Sequence, residues 1–274
     1  MFYLDPPVRL DAQPFTSLPD KWAVPGTSAA ARAKEWANNI LAGKAVSSLL
    51  EGPCFDSAGN LYVVDIPFGR IFRIAPDGSW SLFASYYGWP NGLKVTSDGR
   101  ILVADHRQGL VEITEIGKAV GDGWVYFTDQ GQSGLQEPSG YVYRYHRISK
   151  IVERVLSNIP SPNGFVLTTD ATRLAPFVLD GGVSKVGVFL NLSGGGGPGG
   201  LAVDVEGGLI VAQPGFHLVL RLPTPEARIV GVHGIRENKH RSARNVGEIG
   251  TIVVGGGRIV EQALLRHEPT DCCR

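Results

Sequence analysis

Residues 52–65 read GPCFDSAGNLYVVD, and residues 90–105 read PNGLKVTSDGRILVAD. Each stretch opens on a proline and a glycine and continues into an apolar segment. A short turn containing glycine follows, and a second apolar segment ends in aspartate. Apolar segments joined by such a turn are typical of buried β-hairpins. The two stretches therefore predict two hairpins of the same design.

The same design recurs downstream, as PNGFVLTTDATRL from Pro162 and PGGLAVDVEGGLIVAQ from Pro198. Pro53 and Pro90 are 37 residues apart, Pro90 and Pro162 are 72 apart, and Pro162 and Pro198 are 36 apart. A repeat of about 36 residues holds four short strands with their turns, which is the size of one blade of a β-propeller. The spacing therefore predicts an all-β propeller.

Further apolar segments supply the outer strands of these blades. RIFRI (70–74) and WSLFA (80–84) flank a Pro-Asp-Gly turn and complete the first blade, and YVYRY (141–145) finishes a later one. With these segments, the predicted blades are four-stranded.

The repeat is broken at several places. Leu61 and Ile101 begin corresponding strands 40 residues apart, but Ile101 and Val125 are only 24 apart, so a first strand is missing there. The segment LAPFVLDGGVSK (174–185) replaces another expected strand, and the pattern fades beyond residue 235. Five blade-like units can be traced, two of them shortened, and the closing unit has no clear pattern.

A short helix is predicted near the N-terminus. Residues 29–43 read AAARAKEWANNILAG, which is rich in helix-forming residues. Trp36, Ile40 and Leu41 lie on one side, and Gly43 is a stop signal. The segment is interpreted as a cap or a lead-in to the propeller.

These patterns divide the chain of 274 residues into a lead-in and one domain. Residues 1–44 form the N-terminal lead-in with its short helix, and residues 45–274 form a single β-propeller domain. Within that domain, residues 236–274 are an atypical tail, which begins with the basic and polar run RENKHRSARN.

The composition argues against several classes of partner. The 26 basic residues balance the 26 acidic ones, so the chain has no global attraction for nucleic acid or for an anionic membrane. Its three cysteines form neither a disulfide framework nor a CxxC metal site. The opening MFYLDPPVRL lacks the apolar core of a signal peptide, and the expected location is the cytoplasm.

The blade openings resemble those of the SMP-30/gluconolactonase/LRE-like family over roughly residues 45–235. The motifs that carry the resemblance are Glu51-Gly52-Pro53, Pro90-Asn91-Gly92, Phe127-Thr128-Asp129-Gln130-Gly131, Ser161-Pro162-Asn163-Gly164 and Gly200-Leu201-Ala202-Val203-Asp204. The resemblance implies a six-bladed β-propeller of four-stranded blades. It also implies calcium or another divalent cation on the channel axis, and the hydrolysis of lactones.

The resemblance also implies roles for individual residues. Glu51 matches the metal-ligand glutamate that opens the first blade, and Asn163 matches the ligand asparagine of a later blade. Asn91 matches a channel-facing asparagine that contacts substrate or metal. In the alternative interpretation, Glu51 is a solvated residue and each asparagine is a turn residue of an Asn-Gly pair.

Two residues that end second strands are further candidates for substrate binding. His106 directly follows its strand, near the predicted channel mouth, and the alternative is a surface histidine. Asp129 ends the segment WVYFTD, and the alternative is a cap for that strand, as expected for Asp65 and Asp105.

Gly199 is a departure from the family. The family has aspartate at this position, as the second carboxylate ligand and a candidate general base, and no catalytic residue is therefore assigned here. Asp204 lies five residues further on and is not expected to replace it. Asp129 and Asp180 are the candidate substitutes. Because the site loses charge and coordination number together, the expected cation binding is weak or lost.

Two functional hypotheses remain open. The leading one is a divalent-cation-dependent hydrolase that opens a small-molecule lactone, with Glu51 and Asn163 holding the metal and Asn91 orienting the substrate. The alternative is a non-catalytic or vestigial propeller, either a binding protein or a truncated isoform, that has lost the metal site.

Overall fold

The computed structural model describes residues 8–24, 31–96, 99–113, 124–131, 134–166, 198–204, 208–222 and 231–234. This part of the chain contains one α-helix and fifteen strands. In chain order they are β1 (Val8–Asp11), α1 (Ala31–Ile40), β2 (Leu50–Phe55), β3 (Leu61–Asp65), β4 (Arg70–Ile74), β5 (Trp80–Ser85), β6 (Pro90–Val95), β7 (Ile101–Asp105), β8 (Gly109–Ile113), β9 (Trp124–Asp129), β10 (Gly140–His146), β11 (Val152–Ile159), β12 (Leu201–Val203), β13 (Leu209–Gln213), β14 (Leu218–Leu222) and β15 (Gly231–Gly234). Short 3-10 turns lie at Asp20–Trp22, Ile66–Phe68 and Pro214–Phe216.

The chain divides into two compact units. The first unit comprises residues 12–118 and 235–274, and the second unit comprises residues 1–11 and 119–234. The first unit contains α1 and the strands β2 to β8, and the second contains β1 and the strands β9 to β15.

The first unit contains the predicted four-stranded blade. Strands β2, β3, β4 and β5 form an antiparallel sheet in chain order. A second sheet follows with the order β6-β7-β8. Both hairpins quoted from the sequence are therefore present, and the all-β fold class is confirmed.

The glycine turns of these hairpins share one geometry. The N–H of Gly59 donates to the carbonyl oxygen of Asp56 at 3.1 Å, and the N–H of Gly99 donates to that of Thr96 at 2.8 Å. Gly59 and Gly99 both have a positive φ, of 83° and 79°. Glycine adopts this backbone conformation without steric cost, which explains its recurrence at these turns.

The second unit has two sheets. Strands β9, β10 and β11 form an antiparallel sheet with β10 in the middle. The prediction that residues 141–145 finish a blade is therefore wrong, because the outer strand is β11, which the sequence patterns did not indicate. The other sheet has the order β12-β13-β14-β15-β1, and β1 pairs with β15 in parallel.

The prediction of a strand that begins at Pro162 is wrong. The described residues 162–166 contain no strand. Instead, the N–H of Gly164 donates to the carbonyl oxygen of Gly199 at 2.7 Å, so this segment is bound to the following blade opening. The predicted irregular segment at 174–185 and the tail 236–274 lie outside the described residues.

The predicted helix forms over Ala31–Ile40, but its buried face differs from the prediction. Ala33, Trp36 and Ala37 are buried, whereas Ile40 is 44% exposed. Residues three and four positions apart lie on one face of a helix, so Ala33 and Ala37 flank Trp36 on the packed face. Trp36 joins the core that β3 and β6 also supply.

Candidate functional site

Strand pairing brings the blade openings and the ends of the second strands to the same edge of each sheet. Leu50 pairs with Asp65 in the first sheet, and Pro90 pairs with Asp105 in the second. Glu51 and Asn91 each follow the opening residue of these pairs. Within the first unit, this edge is therefore where the predicted site residues lie.

A close backbone contact joins the two openings of the first unit. A Cβ atom built on Gly52 would lie 2.5 Å from the carbonyl oxygen of Asn91 and 2.8 Å from the amide nitrogen of Leu93. Only glycine permits this approach, and Gly52 also has a positive φ of 57°. The structure therefore brings Glu51 and Asn91 together on neighbouring first strands.

The second unit repeats this contact. A Cβ atom built on Gly164 would lie 2.4 Å from the carbonyl oxygen of Gly199 and 2.8 Å from the amide nitrogen of Leu201. Gly164 therefore corresponds to Gly52, and Gly199 corresponds to Asn91. Asn163 and Gly199 occupy equivalent positions of neighbouring openings, as the spacing of 36 residues between Pro162 and Pro198 predicts.

The carboxyl group of Glu51 has an unusual environment for an exposed residue. Surrounding protein removes part of its hydration and raises the pKa of the Glu51 carboxyl, because the charged form loses more than the neutral form. The N–H of Gly52 donates to Glu51 Oε2 at 3.4 Å and partly opposes this effect. The residue is therefore accessible to ligands and incompletely solvated.

The opening at Asn163 is bound to the end of β9. Thr128 Oγ1 donates to the carbonyl oxygen of Asn163 at 2.8 Å, and Asp129 is the next residue along the strand. Asp129 Oδ1 accepts the N–H of Gly131 at 3.0 Å, so Asp129 caps the turn that follows its strand. The side chains of Asn163 and Asp129 are both exposed.

The corresponding aspartates of the first unit are buried. Asp65 Oδ2 accepts Arg70 Nε at 2.8 Å, and its Oδ1 accepts the N–H of Leu49 at 2.9 Å. Asp105 Oδ2 accepts the hydroxyl of Tyr86 at 2.9 Å. These carboxylates hold the strand ends together, whereas Asp129 at the equivalent place is exposed.

Asp204 is also engaged elsewhere, as the sequence predicts. Its Oδ1 accepts the N–H of Gly208 at 2.7 Å, and its Oδ2 accepts Arg221 Nε at 2.6 Å. This carboxylate is buried at a turn and is not available to a ligand at the openings. Asp180, the other candidate substitute, lies outside the described residues.

Gly199 has nearly enough room for a side chain. A Cβ atom there would lie 3.2 Å from Cγ of Pro214, so the ring would have to shift by a few tenths of an ångström. At Gly200, a Cβ atom would meet nothing within 4 Å. A side chain at position 199 therefore requires a small shift of the Pro214 ring.

The donor set in each unit does not fit a complete calcium site. In the first unit, Glu51 supplies one carboxylate and Asn91 a neutral carboxamide, and in the second, Asn163 supplies a neutral carboxamide and Gly199 no side chain. Ca²⁺ takes six to eight oxygen ligands, several of them carboxylate. Among the residues that the structure describes, no group of three or more His, Cys, Asp or Glu side chains is placed to hold a metal ion.

His106 belongs to a cluster that the sequence analysis did not identify. The backbone N–H of His106 donates to the carbonyl oxygen of Trp89 at 3.0 Å, and the rings of the two residues are 5.7 Å apart between centroids. The guanidinium carbon of Arg107 lies 4.1 Å from the Trp89 ring centroid and 5.0 Å from that of Tyr87. Arg107 also forms an ion pair with Glu35 of α1. No short sequence window contains both Glu35 and Arg107, so no local pattern could reveal the pair.

None of the helices in the described ranges is long and apolar enough to cross a membrane.

Comparisons with known proteins agree with the resemblance found at the blade openings. No protein-family model matches the chain. A curated relative, lactonase drp35 of Staphylococcus aureus, is 29% identical over 62% of this chain. The chain spans 65% of the length of that relative.

Two solved structures share the fold. A calcium-binding protein, regucalcin, from Agrobacterium tumefaciens has a TM-score of 0.53 at 18% identity, covering 68% of this chain and 74% of that one. The gluconolactonase XC5397 of Xanthomonas campestris also has a TM-score of 0.53 at 18% identity, covering 68% and 75%. This similarity in fold agrees with the propeller that the blade openings predict.

Proposed function

We propose that this chain is a hydrolase that opens lactone rings at the blade openings. The observation that carries the proposal is the ordered set of openings, in which a glycine of one opening contacts the backbone of the next at Gly52 and again at Gly164. The name of the curated relatives, lactonase drp35, supports the same reaction class. The proposed partner is a small-molecule lactone.

The reaction needs little chemistry from the chain. The oxygen of water bonds to the ring carbonyl carbon, the ring C–O bond breaks, and the released alkoxide takes a proton to give a hydroxy acid. In the proposal, Asn91 donates an amide N–H to the substrate and orients it, because a carboxamide offers two donors and an accepting oxygen. Asp129 and His106 are the further proposed contacts with substrate.

We also propose that the hydrolysis depends on calcium or another divalent cation. Glu51 and Asn163 are the proposed oxygen ligands. Because Gly199 contributes no carboxylate, the proposed binding is weak, and no step of the reaction is assigned to the cation.

The hydrolysis is tested by proton release from a panel of aliphatic and sugar-type lactones. We expect Glu51→Gln to lower kcat/KM by about a hundredfold, because the variant loses the one charged group of the two proposed cation ligands. Glu137→Gln, a matched change at an exposed glutamate outside the openings, should leave kcat/KM unchanged. Equal activity of the two variants would exclude a role for Glu51.

Cation binding is tested by calorimetry with calcium on Gly199→Asp and Gly200→Asp. The two variants add the same charge at neighbouring positions, and only position 199 corresponds to the other openings. We expect Gly199→Asp to tighten the calcium Kd at least tenfold, because a charged oxygen ligand is restored. If Gly200→Asp has the same effect, the openings do not form a cation site.

The second candidate, which the similarity to lactonase drp35 does not favour, is a propeller that retains the fold but not the catalysis. This candidate predicts that the folded wild-type protein hydrolyses none of the lactones and does not bind calcium at millimolar concentration. Activity of the wild type on any lactone of the panel, abolished by Glu51→Gln, would exclude it.

A further inference from the structure

An aromatic and charged cluster lies beside the opening at Asn91, within the first unit. It consists of Tyr87, Trp89, His106 and Arg107, and is called the Arg107 cluster below. The hydrogen bond from the backbone N–H of His106 to the Trp89 carbonyl oxygen extends the β6–β7 ladder by one pair beyond Pro90 and Asp105. The cluster is therefore continuous with the strand that carries Asn91.

The loop that presents Tyr87 is held firmly. The Tyr86 hydroxyl donates to Asp105 Oδ2 at 2.9 Å, and Gln108 Nε2 donates to the Tyr87 carbonyl oxygen at 2.9 Å. A Cβ atom on Gly88 would lie 2.3 Å from Asp105 Oδ2, so only glycine fits between these residues. Tyr87 is 61% exposed on this fixed loop. A preorganised aromatic ring binds at a lower cost in conformational entropy than a mobile one.

Arg107 is oriented from two sides. Its guanidinium lies over the Trp89 ring and pairs with Glu35, which belongs to a helix whose Trp36 is packed in the core. The Arg107 side chain is 21% exposed. A guanidinium carries five N–H donors, and a carboxylate engages at most two of them in a bidentate pair. The donors that neither Glu35 nor Tyr87 engages suit the oxygen atoms of a ligand.

The charges of the cluster select the kind of ligand. Arg107 and Glu35 are of opposite sign, so the pair has no net charge. Trp89 is 4% exposed and supports the guanidinium from one side, whereas Tyr87 and His106 are exposed. Aromatic faces with several hydrogen-bond donors suit a neutral molecule that carries hydroxyl groups.

We propose that the Arg107 cluster is the specificity-determining surface of the lactone site. It binds the hydroxyl-bearing side of a neutral lactone, and Glu35 acts as a positioning residue that orients Arg107. This inference rests on the proposed function. A site built to hydrogen-bond substrate hydroxyls discriminates strongly against an analogue that lacks them.

The test compares two δ-lactones of equal ring size, the polyhydroxylated glucono-δ-lactone and the unsubstituted δ-valerolactone. Arg107→Met retains an apolar side chain over Trp89 and removes the donors. We expect it to reduce the ratio of kcat/KM for the hydroxylated to the unsubstituted lactone at least tenfold, mainly through KM. An unchanged ratio overturns the proposal.

Two further variants separate positioning from folding. Glu35→Gln should raise KM for glucono-δ-lactone several-fold with little change in kcat, because Arg107 loses its orienting charge. Arg73→Met, at an exposed arginine of β4 in the same unit, should leave both constants unchanged. A loss of kcat in Glu35→Gln, with KM unchanged for both lactones, contradicts the positioning role.

A binding assay distinguishes this proposal from the proposed function. The unreactive lactam of gluconic acid is titrated by calorimetry into the wild type, Arg107→Met and Arg73→Met. Binding weakened at least tenfold in Arg107→Met alone supports the Arg107 cluster, even if no lactone is hydrolysed. Equal binding in all three proteins, or none in the wild type, overturns it.

Discussion

His217 holds a backbone conformation that glycine holds at the corresponding place in the first blade. Gly69 and His217 each end a 3-10 turn directly before the third strand of their sheets, with φ of 59° and 53°. A side chain in this left-handed region crowds its own backbone. The turn geometry is therefore the same in the two blades, whereas the residue is not.

Replacing His217 with glycine should stabilise the protein. We expect His217→Gly to raise the free energy of unfolding by about 0.5–1 kcal/mol, because the strain is relieved at some cost in chain entropy. Gly109→Ala is the control for backbone strain, since Gly109 has a φ of 74° and a Cβ atom there meets nothing within 4 Å, and it should lose about 1 kcal/mol. Both are measured by denaturant unfolding. A destabilising His217→Gly would show that the imidazole has a stabilising role of its own.

Tyr86 should affect stability at alkaline pH. Burial and the neighbouring Asp105 carboxylate raise the pKa of the Tyr86 hydroxyl far above its usual range. The unfolded chain releases this proton near pH 10 and the folded chain does not, so the stabilisation is complete below about pH 10 and is lost as pH rises.

Tyr86→Phe removes that dependence. We expect the variant to be less stable by about 1 kcal/mol at pH 7, where a hydrogen bond is lost. Its stability should also fall less steeply than that of the wild type between pH 10 and 11. Thermal melts across this range provide the measurement. Parallel curves for the two proteins would contradict a raised pKa for Tyr86.

At the scale of elements, neighbouring strands of one blade contribute very unequally to the core. Phe72 of β4 is completely buried, and its ring lies 5.4 Å from that of Trp22 and 5.5 Å from that of Trp80. Leu82 of β5 pairs with Phe72 in the ladder but is 40% exposed. The inner strands therefore carry most of the packing.

Truncation of these two residues should reveal that difference. We expect Phe72→Ala to cost about 3–5 kcal/mol of unfolding free energy, because a large cavity forms in a packed core. Leu82→Ala should cost less than about 1 kcal/mol, as expected for a partly solvated side chain. Chemical denaturation measures both. Similar losses would mean that the face of β5 carrying Leu82 is as well packed as that of β4.

The elements were predictable where their signals are local. The hairpins β2–β3 and β6–β7 follow directly from apolar segments around glycine turns. The strand β11 was missed because VERVLSNI combines apolar and polar residues without a clear alternation. The packed face of α1 was partly mistaken, since Ile40 is apolar but the neighbouring structure packs against Ala33 and Ala37 instead.

At the scale of the whole molecule, the strand β1 completes a sheet formed far along the chain. Val8 pairs with Gly231 and Asp11 pairs with Gly234, in parallel register. Residues predicted as part of a lead-in thus supply the outer strand of the β12–β15 sheet.

Deletion of residues 1–11 should expose β15. We expect the amides of Gly231–Gly234 to exchange with solvent at least tenfold faster, because one side of the strand loses its hydrogen-bond partner. The amides of β7, which lies in the first unit, serve as the internal control and should keep their protection. Unchanged exchange in β15 would contradict the pairing with β1.

Local patterns in the sequence are sufficient to predict the all-β class, the blade repeat and the glycine turns. These features depend on residues close together in the chain, whose backbone preferences and apolar alternation act locally. The folded structure is needed to show the parallel pairing of β1 with β15, the partial loss of hydration that raises the pKa of the Glu51 carboxyl, and the ion pair between Glu35 and Arg107. Such contacts join segments that are distant in sequence, and they exist only once the packing of the core has set those segments side by side.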